Sequence, residues 1–208
     1  MSKEAIAAGL LAGVTRLITG VRGHWQDPSA GQDGAQRVYF ANHSSHLDTL
    51  VIWSSLPKAL RARTRPVAAA DYWDRPGLRR WLALRVLNAL PVERAGGCGS
   101  RDALHHLIAA LDAGDSLILF PEGTRGDGQA IGELRSGLYH VARERPQVEL
   151  VPVFLENLSR ILPKGEVLPV PLIGRAHFGL SIRLAPDEDR KAFLTRARLA
   201  LTALGDRK

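Results

Sequence analysis

The sequence predicts an α/β fold: a single layered domain with a mostly parallel or mixed central sheet flanked by helices. Three observations favour this class. Short apolar runs alternate with helical patterns, the 208 residues suit one domain, and 45% of them are hydrophobic. The strand candidates are Arg37–Ala41, Pro66–Ala70, Ala89–Glu93, Ser116–Phe120, Glu149–Leu155 and Leu180–Leu184. The helix candidates are Ser45–Ser55, Pro76–Asn88, Arg101–Ala113, Leu134–Glu144 and Asp187–Leu204.

An amphipathic helix is predicted at the N-terminus, in residues 1–25. Its apolar residues recur at helical spacing; they are Ile6, Leu10, Leu11, Val14, Leu17, Ile18 and Val21. The run is interrupted by Arg16 and is shorter than the roughly 20 apolar residues of a membrane span. Two interpretations stay open: a helix packed on the domain, or a membrane-interface anchor. The polar stretch Gln26–Gln36 is predicted to link this helix to a main domain at residues 36–208.

Two strand candidates end in polar clusters. Arg37–Ala41 is followed by residues 42–48, Asn-His-Ser-Ser-His-Leu-Asp, and Ser116–Phe120 is followed by residues 121–125, Pro-Glu-Gly-Thr-Arg. Ligands of open α/β sheets bind beyond the carboxyl ends of the strands. We therefore expect the two clusters to converge on one site.

The first cluster contains a candidate catalytic pair, His43 and Asp48. Five residues apart on an unbroken helix they would diverge by about 140°, so they meet only if His43 lies in the preceding turn. Ser45 as N-cap would place Asp48 in the first helical turn. Its carboxylate would then fix the imidazole tautomer and leave the other nitrogen as a base. Alternatively, Asp48 only completes the cap and His43 is a loop histidine.

The second cluster is suited to an anion. Gly123 allows close approach of the backbone, Thr124 offers a hydroxyl, and the Arg125 guanidinium matches phosphate oxygens. Glu122 would orient Arg125 or bind an acceptor hydroxyl. The alternative is a tight turn with a surface ion pair, which adds little stability.

Composition and missing motifs exclude several classes. The lone cysteine, Cys98, excludes an intrachain disulfide, and the formal charge of +7 favours an anionic partner. Phosphate-loop, dinucleotide, serine-hydrolase and zinc-protease motifs are all missing. No metal site is expected, because His43, His46 and Asp48 lack a further ligand at a suitable spacing. Pro163–Gly174, with three prolines, is predicted to be an irregular loop.

Basic and aromatic residues alternate in the middle of the chain. They would suit an anionic lipid surface, or else form a solvated rim around core tryptophans. The basic members are Lys58, Arg61, Arg63, Arg65, Arg75, Arg79, Arg80 and Arg85, and the aromatic members are Trp53, Tyr72, Trp73 and Trp81.

Four segments together resemble the sequence blocks of the glycerolipid acyltransferases, the family of 1-acylglycerol-3-phosphate and glycerol-3-phosphate acyltransferases. Residues 42–48 resemble its signature of a histidine, four residues and an aspartate. Residues 90–94, Leu-Pro-Val-Glu-Arg, resemble an intermediate block, and Glu93 replaces its frequent aspartate. Residues 120–125 resemble the acceptor-binding block, and residues 151–153, Val-Pro-Val, a late block. The segments occur in family order.

The resemblance implies a role for each matching residue. His43 would be the general base, oriented by Asp48, and Pro152 would shape the wall near the acyl donor. The residues implied to bind the acceptor are Asn42, Arg94, Glu122, Gly123, Thr124 and Arg125.

The resemblance also implies an activity. A fatty acyl group would pass from acyl-CoA or acyl carrier protein to the hydroxyl of a lysophospholipid, first of all 1-acylglycerol 3-phosphate, giving phosphatidic acid. No cofactor or metal would be needed. The short N-terminal helix departs from members of the family that carry clear membrane spans, which favours peripheral attachment at the cytoplasmic face of a membrane. Two alternatives stay open: the same chemistry on glycerol 3-phosphate or another lysolipid, and a non-enzymatic basic module binding nucleic acid. No nucleic-acid motif accompanies the basic stretch.

Overall fold

The computed structural model describes residues 2–70, 77–93, 99–126, 128, 130–156 and 174–206. The strands are β1 (Arg22–Trp25), β2 (Arg37–Ala41), β3 (Thr64–Ala69), β4 (Leu90–Val92), β5 (Ser116–Leu119), β6 (Glu149–Glu156) and β7 (Arg175–Phe178). The helices are α1 (Lys3–Thr19), α2 (Asp48–Ser55), α3 (Lys58–Ala62), α4 (Leu78–Trp81), α5 (Gly99–Asp112), α6 (Gly137–Glu144) and α7 (Arg190–Gly205). A π-helix, Leu82–Val86, continues α4.

The strands form one mixed sheet in the order β1-β7-β6-β2-β5-β3-β4. Neighbouring strands of the described sheet run parallel, except for β6 and β7. Phe40 of β2 lies opposite Pro152 of β6 on one side and Leu119 of β5 on the other. The carboxyl ends of β2 and β5 therefore lie side by side, which confirms the predicted fold class and places both polar clusters at one edge.

Helices cover both faces of the sheet, so its central strands are buried on both sides, as parallel sheets require. Tyr39 belongs to the cluster that contacts α1 and α2, whereas Phe40 belongs to the cluster under α5, α6 and α7. Besides Tyr39, the largest fully buried apolar side chain of the first cluster is Phe178. Besides Phe40, that of the second cluster is Phe193. Each such side chain contributes roughly 1.5–3 kcal/mol through burial.

The predicted strand Leu180–Leu184 is wrong. The edge strand is β7, just before it, and the predicted segment makes only an isolated bridge between Leu150 and Ile182. The ladder breaks opposite Pro152, which has no N–H to donate. A Cβ on Gly179 would lie 2.8 Å from the Pro152 ring, so only glycine fits where the chain leaves the strand.

Other elements agree with the prediction, with shifted ends. The helix predicted at Ser45–Ser55 begins only at Asp48, and the one predicted at Pro76–Asn88 contains α4 and the π-helix. β1 and α3 were not predicted, because each is too short to show a periodic pattern. The predicted loop Pro163–Gly174 lies outside the described residues except for its last residue.

Helix α1 packs on the domain through its small residues. The Ser2 hydroxyl accepts a hydrogen bond from the Ala5 amide, and Gly20 ends the helix at a φ of 59°. Ala12 and Thr15 are buried, and Arg16 Nε donates to the Ser54 carbonyl of α2 at 2.8 Å. Strand β1 follows and pairs with β7.

The larger apolar residues of α1 face away from the domain. The exposed members are Ile6, Leu10, Val14, Leu17 and Ile18. Leu17 is 85% exposed and Leu10 is 65% exposed. Of the predicted apolar stripe, Leu11 packs against the core instead. None of the helices in the described ranges is long and apolar enough to span a bilayer.

The basic and aromatic stretch divides between core and surface. Trp53 is buried, with the Arg61 guanidinium 5.1 Å from its ring centre, whereas Trp81 is exposed. Arg65 pairs with Asp115 at 3.2 Å. The other aromatic members, Tyr72 and Trp73, lie outside the described residues, as do Arg75 and Cys98.

Candidate active site

The loops that follow β2 and β5 are joined by backbone hydrogen bonds. The His43 amide donates to Glu122 Oε1 at 2.9 Å, and the Gly126 amide donates to the His43 carbonyl at 2.8 Å. Farther out, the Arg125 guanidinium contacts the His46 imidazole. The structure thus brings the two polar clusters together.

His43 and Asp48 form a hydrogen-bonded pair. His43 Nδ1 lies 2.8 Å from Asp48 Oδ2, and the Asp48 side chain is fully buried whereas that of His43 is 22% exposed. The imidazole also stacks on Phe120, with ring centres 4.2 Å apart. In neutral His43, an Nδ1–H that donates to the carboxylate leaves Nε2 as a proton acceptor.

Asp48 and Ser45 both hold the turn before α2, and Ser45 Oγ accepts from the Leu47 amide at 3.3 Å. Asp48 Oδ2 also accepts from the amides of Ser44 at 2.7 Å and Ser45 at 2.9 Å. Helix α2 begins at Asp48, with Leu47 at the N-cap position, where no side-chain cap forms. The N-cap position is therefore two residues later than predicted, although the Ser45 hydroxyl still accepts an amide hydrogen bond there. One carboxylate both closes the turn and holds the imidazole, so the two alternatives from the sequence are compatible.

The Glu122 carboxylate bridges two loops. Oε1 accepts from the His43 amide, and Oε2 accepts from the Gly132 amide at 2.9 Å. In the described part of the chain neither oxygen takes a hydrogen bond from Arg125. Glu122 therefore fixes the backbone of His43 directly, a contact that residue spacing alone could not indicate.

The turn after β5 is built around Gly123. Its φ is 73°, and its amide donates to the Phe120 carbonyl at 3.0 Å. Arg135 covers the turn: its amide donates to the Pro121 carbonyl at 2.8 Å and its Nε to the Glu122 carbonyl at 3.2 Å. The turn thus leaves the side chains after Gly123 exposed; these are Thr124 and Arg125.

Arg135 was missed by the sequence reasoning, although a signal existed. It stands immediately before the start of α6, where a cation is disfavoured by the helix dipole. A cation at such a position indicates that another contact compensates for the unfavourable dipole.

Three further predicted residues show no open side-chain donor or acceptor toward the hollows in the part of the chain that the structure describes. Both ends of the Asn42 amide bond the Leu155 backbone of β6, at 3.1 and 2.8 Å. Pro152 is buried within β6, where its carbonyl accepts from the Gly179 amide at 2.9 Å. Arg94 lies outside the described residues. Their predicted binding roles stay predictions.

Two adjoining hollows open at this edge and share Glu122, Gly126 and Ala130. The first also contains His43 and the second Arg135. Asn42 and Ser44 also line the first hollow, and Thr124 and Glu133 also line the second. In the described ranges, no three histidine, cysteine, aspartate or glutamate side chains form a metal-ligand group.

Comparisons with known proteins find acyltransferases among the relatives of this chain. A 1-acyl-sn-glycerol-3-phosphate acyltransferase from Arabidopsis thaliana chloroplasts is 29% identical over 128 residues, or 62% of this chain and 34% of that protein. A chloroplastic relative from Brassica napus is 27% identical over 128 residues, 62% of this chain and 35% of its own length. The chain thus spans about a third of the length of these relatives.

The fold matches the crystal structure of the 1-acyl-sn-glycerophosphate acyltransferase PlsC from Thermotoga maritima. The TM-score is 0.72, with 17% sequence identity, and the match covers 99% of this chain and 83% of that chain. At that identity the likeness concerns the fold alone. Residues 24–156 match the family model described as Acyltransferase, and this range includes both clusters of the site. The chain therefore belongs to the acyltransferase family.

Proposed function

We propose that this protein transfers a fatty acyl group from an acyl thioester to the hydroxyl of 1-acylglycerol 3-phosphate, which gives phosphatidic acid. The observation that carries the proposal is the His43–Asp48 pair, 2.8 Å apart, in a hollow that adjoins an exposed Thr124–Arg125 segment. The plant relatives are named as 1-acyl-sn-glycerol-3-phosphate acyltransferases, which supports this choice of acceptor.

The pair suits general-base catalysis. His43 Nε2 takes the proton of the acceptor hydroxyl while the hydroxyl oxygen attacks the thioester carbonyl. The C–O bond forms, the C–S bond breaks, and the proton leaves with the sulfur as a free thiol. Asp48 stabilises the imidazolium that forms in between. General-base catalysis contributes ~10²–10⁴ in rate. A thioester is already activated, so no covalent enzyme intermediate is required.

The acceptor phosphate would bind at the turn after β5. Arg125 and Thr124 are exposed beside the hollow, and a guanidinium pairs with phosphate oxygens in a fixed geometry. The family resemblance adds Arg94 to this group. Holding the phosphate would align the hydroxyl with His43, which lowers the entropic part of the barrier. Glu122 and Asn42 would serve the site through the backbone that they hold.

A thiol-release assay tests the chemistry. Wild-type protein is expected to release thiol from acyl-CoA or acyl carrier protein only when an acceptor is present. His43→Ala is expected to lower kcat ~10²-fold or more, because the base is lost. The matched control is His106→Ala, which removes an exposed histidine of α5. A folded His43→Ala variant with the wild-type rate would refute the assignment.

An acceptor panel tests the substrate. Lysophosphatidic acid, glycerol 3-phosphate and other lysolipids are compared by mass spectrometry of the products. We expect the highest kcat/KM with lysophosphatidic acid. Preference for glycerol 3-phosphate would keep the chemistry but reassign the acceptor.

We also propose peripheral attachment to a membrane through α1. Its exposed apolar face could enter a lipid interface, and Trp81 and Leu78 are exposed on the neighbouring α4. Glu4 of α1 lies 3.9 Å from Arg85 of the π-helix, so the two exposed regions are adjacent. Attachment to the cytoplasmic face stays a prediction.

Vesicle sedimentation tests the attachment. Leu17→Glu places a charge on the most exposed apolar position of α1 and is expected to lower the bound fraction at least several-fold on anionic vesicles. Leu199→Glu makes the same change at a position of α7 that is 62% exposed. Equal binding by both variants would contradict the role of α1.

A further inference from the structure

Arg135 is held beside the hollow by two hydrogen bonds to the turn after β5. Its amide donates to the Pro121 carbonyl and its Nε to the Glu122 carbonyl. The two terminal nitrogens of the Arg135 guanidinium have no hydrogen-bond partner among the described residues. The stem of the side chain is therefore positioned, while its strongest donors stay available to a ligand.

Gly123 makes this position accessible. A Cβ at Gly123 would lie 2.8 Å from Cδ and Cζ of Arg135, too close for carbon atoms in contact. The Arg135 side chain thus lies directly on bare backbone, and this brings its guanidinium to the same turn that presents Thr124 and Arg125.

Among the described residues, no carboxylate forms an ion pair with the cations at this turn. Within the described ranges neither Arg125 nor Arg135 forms an ion pair. Glu122 lines the hollow, but its oxygens accept from two backbone amides. Glu133 also lines the hollow without approaching Arg135 to ion-pair distance. Two guanidinium groups beside one turn repel each other, and an anion bound there would relieve the repulsion.

We infer that Arg135 is a second cationic ligand for the phosphate of the acceptor, beside Arg125. The inference rests on the proposed function. A pair of guanidinium groups would favour a phosphomonoester, which carries up to two charges, over a neutral glycerol headgroup. Arg135 would thereby set specificity for phosphate-bearing acceptors, while His43 performs the chemistry.

Steady-state kinetics of Arg135→Gln test the inference. The variant removes the charge and is expected to raise KM for lysophosphatidic acid about 10-fold, or about 1.4 kcal/mol, with kcat within about two-fold. Arg135→Lys keeps the charge and is expected to fall between wild type and Arg135→Gln. The matched control is Arg143→Gln on the exposed side of α6, where Arg143 pairs with Glu144.

The alternative is that Arg135 only stabilises the turn. In that case kcat would fall, and a phosphate-free acceptor such as monoacylglycerol would be affected equally. Unchanged KM for lysophosphatidic acid in Arg135→Gln, or an equal change in Arg143→Gln, would overturn the inference.

Binding of glycerol 3-phosphate, followed by calorimetry or NMR, provides a readout besides activity. Wild-type protein is expected to bind it more tightly than glycerol, and Arg135→Gln is expected to lose most of that preference. Binding that depends on Arg135 without acyl transfer would support the phosphate site and refute the proposed function. Acyl transfer to lysophosphatidic acid that Arg135→Gln does not affect would support the proposed function and refute the role of Arg135.

Discussion

Replacing Asp48 by asparagine changes the charge beside His43 and almost nothing else. Asparagine has the same shape, and its oxygen can still accept from the Ser44 and Ser45 amides that donate to Asp48 Oδ2. Asp48 Oδ1 has no hydrogen-bond partner among the described residues, so the new NH₂ group displaces no donor there. The turn should persist, and the variant isolates the electrostatic contribution of the carboxylate.

The size of that contribution follows from the distance. Two unit charges 2.8 Å apart attract by about 6 kcal/mol at an effective dielectric constant of about 20. If the proton is about half transferred in the transition state, about half of this attraction, roughly 3 kcal/mol, stabilises it. Losing 3 kcal/mol lowers kcat by about 150-fold. KM should change little, because the buried Asp48 side chain is closed to both substrates.

The assay is thiol release at saturating donor and acceptor, with thermal unfolding to confirm the fold. Asp112→Asn is the matched control, since that carboxylate pairs with Arg145 and belongs to neither hollow. We expect Asp112→Asn to keep kcat. A folded Asp48→Asn enzyme with kcat within three-fold of wild type would show that the carboxylate does not act through charge on His43.

Two other predictions concern ionised carboxylates. Glu122→Gln sets an NH₂ group against the amide of His43 or Gly132, where two donors then face each other. We expect kcat to fall about 10-fold and the free energy of unfolding to fall by about 1–3 kcal/mol. Unchanged rates of thiol release and an unchanged urea unfolding curve would contradict this. The Arg196 guanidinium holds the pKa of Glu188 below its ordinary 4.5. This contribution to stability is present above pH 4.5 and is lost as pH falls through the lower folded-state pKa. When the unfolding free energy is measured against pH, the Glu188→Gln variant should therefore lose less stability on the acid side than wild type. An unchanged slope would refute this prediction.

Much of the site could be predicted because the chain itself limits the geometry. His43 and Asp48 are close in sequence, so only a turn between them was needed for contact, and the structure shows that turn. The position of both clusters after apolar strands predicted that they would lie at a carboxyl edge. Their closeness then followed from β2 and β5 being neighbours.

The errors have a common cause. Apolar residues alternate at residues 180–184, which suits a strand, but this segment makes only an isolated bridge to β6. The ladder breaks just before it because Pro152, far away in sequence, has no N–H to donate. A contact that was not predicted has the same cause: the Glu122 carboxylate accepts from the amides of His43 and Gly132. Both outcomes depend on a partner from another part of the chain.

The order of apolar and polar residues by itself determined the fold class, because that depends on periodicity. The family followed from the resemblance of four sequence blocks, and the sequence allowed the His43–Asp48 contact because the two residues are only five apart. Only the tertiary structure decided that Arg135 lies on Gly123, that Asn42 is bound to β6, and that the large apolar residues of α1 face outward. The physical reason is that hydrogen bonds and packing between distant segments depend on strand order and helix orientation, which local patterns do not encode.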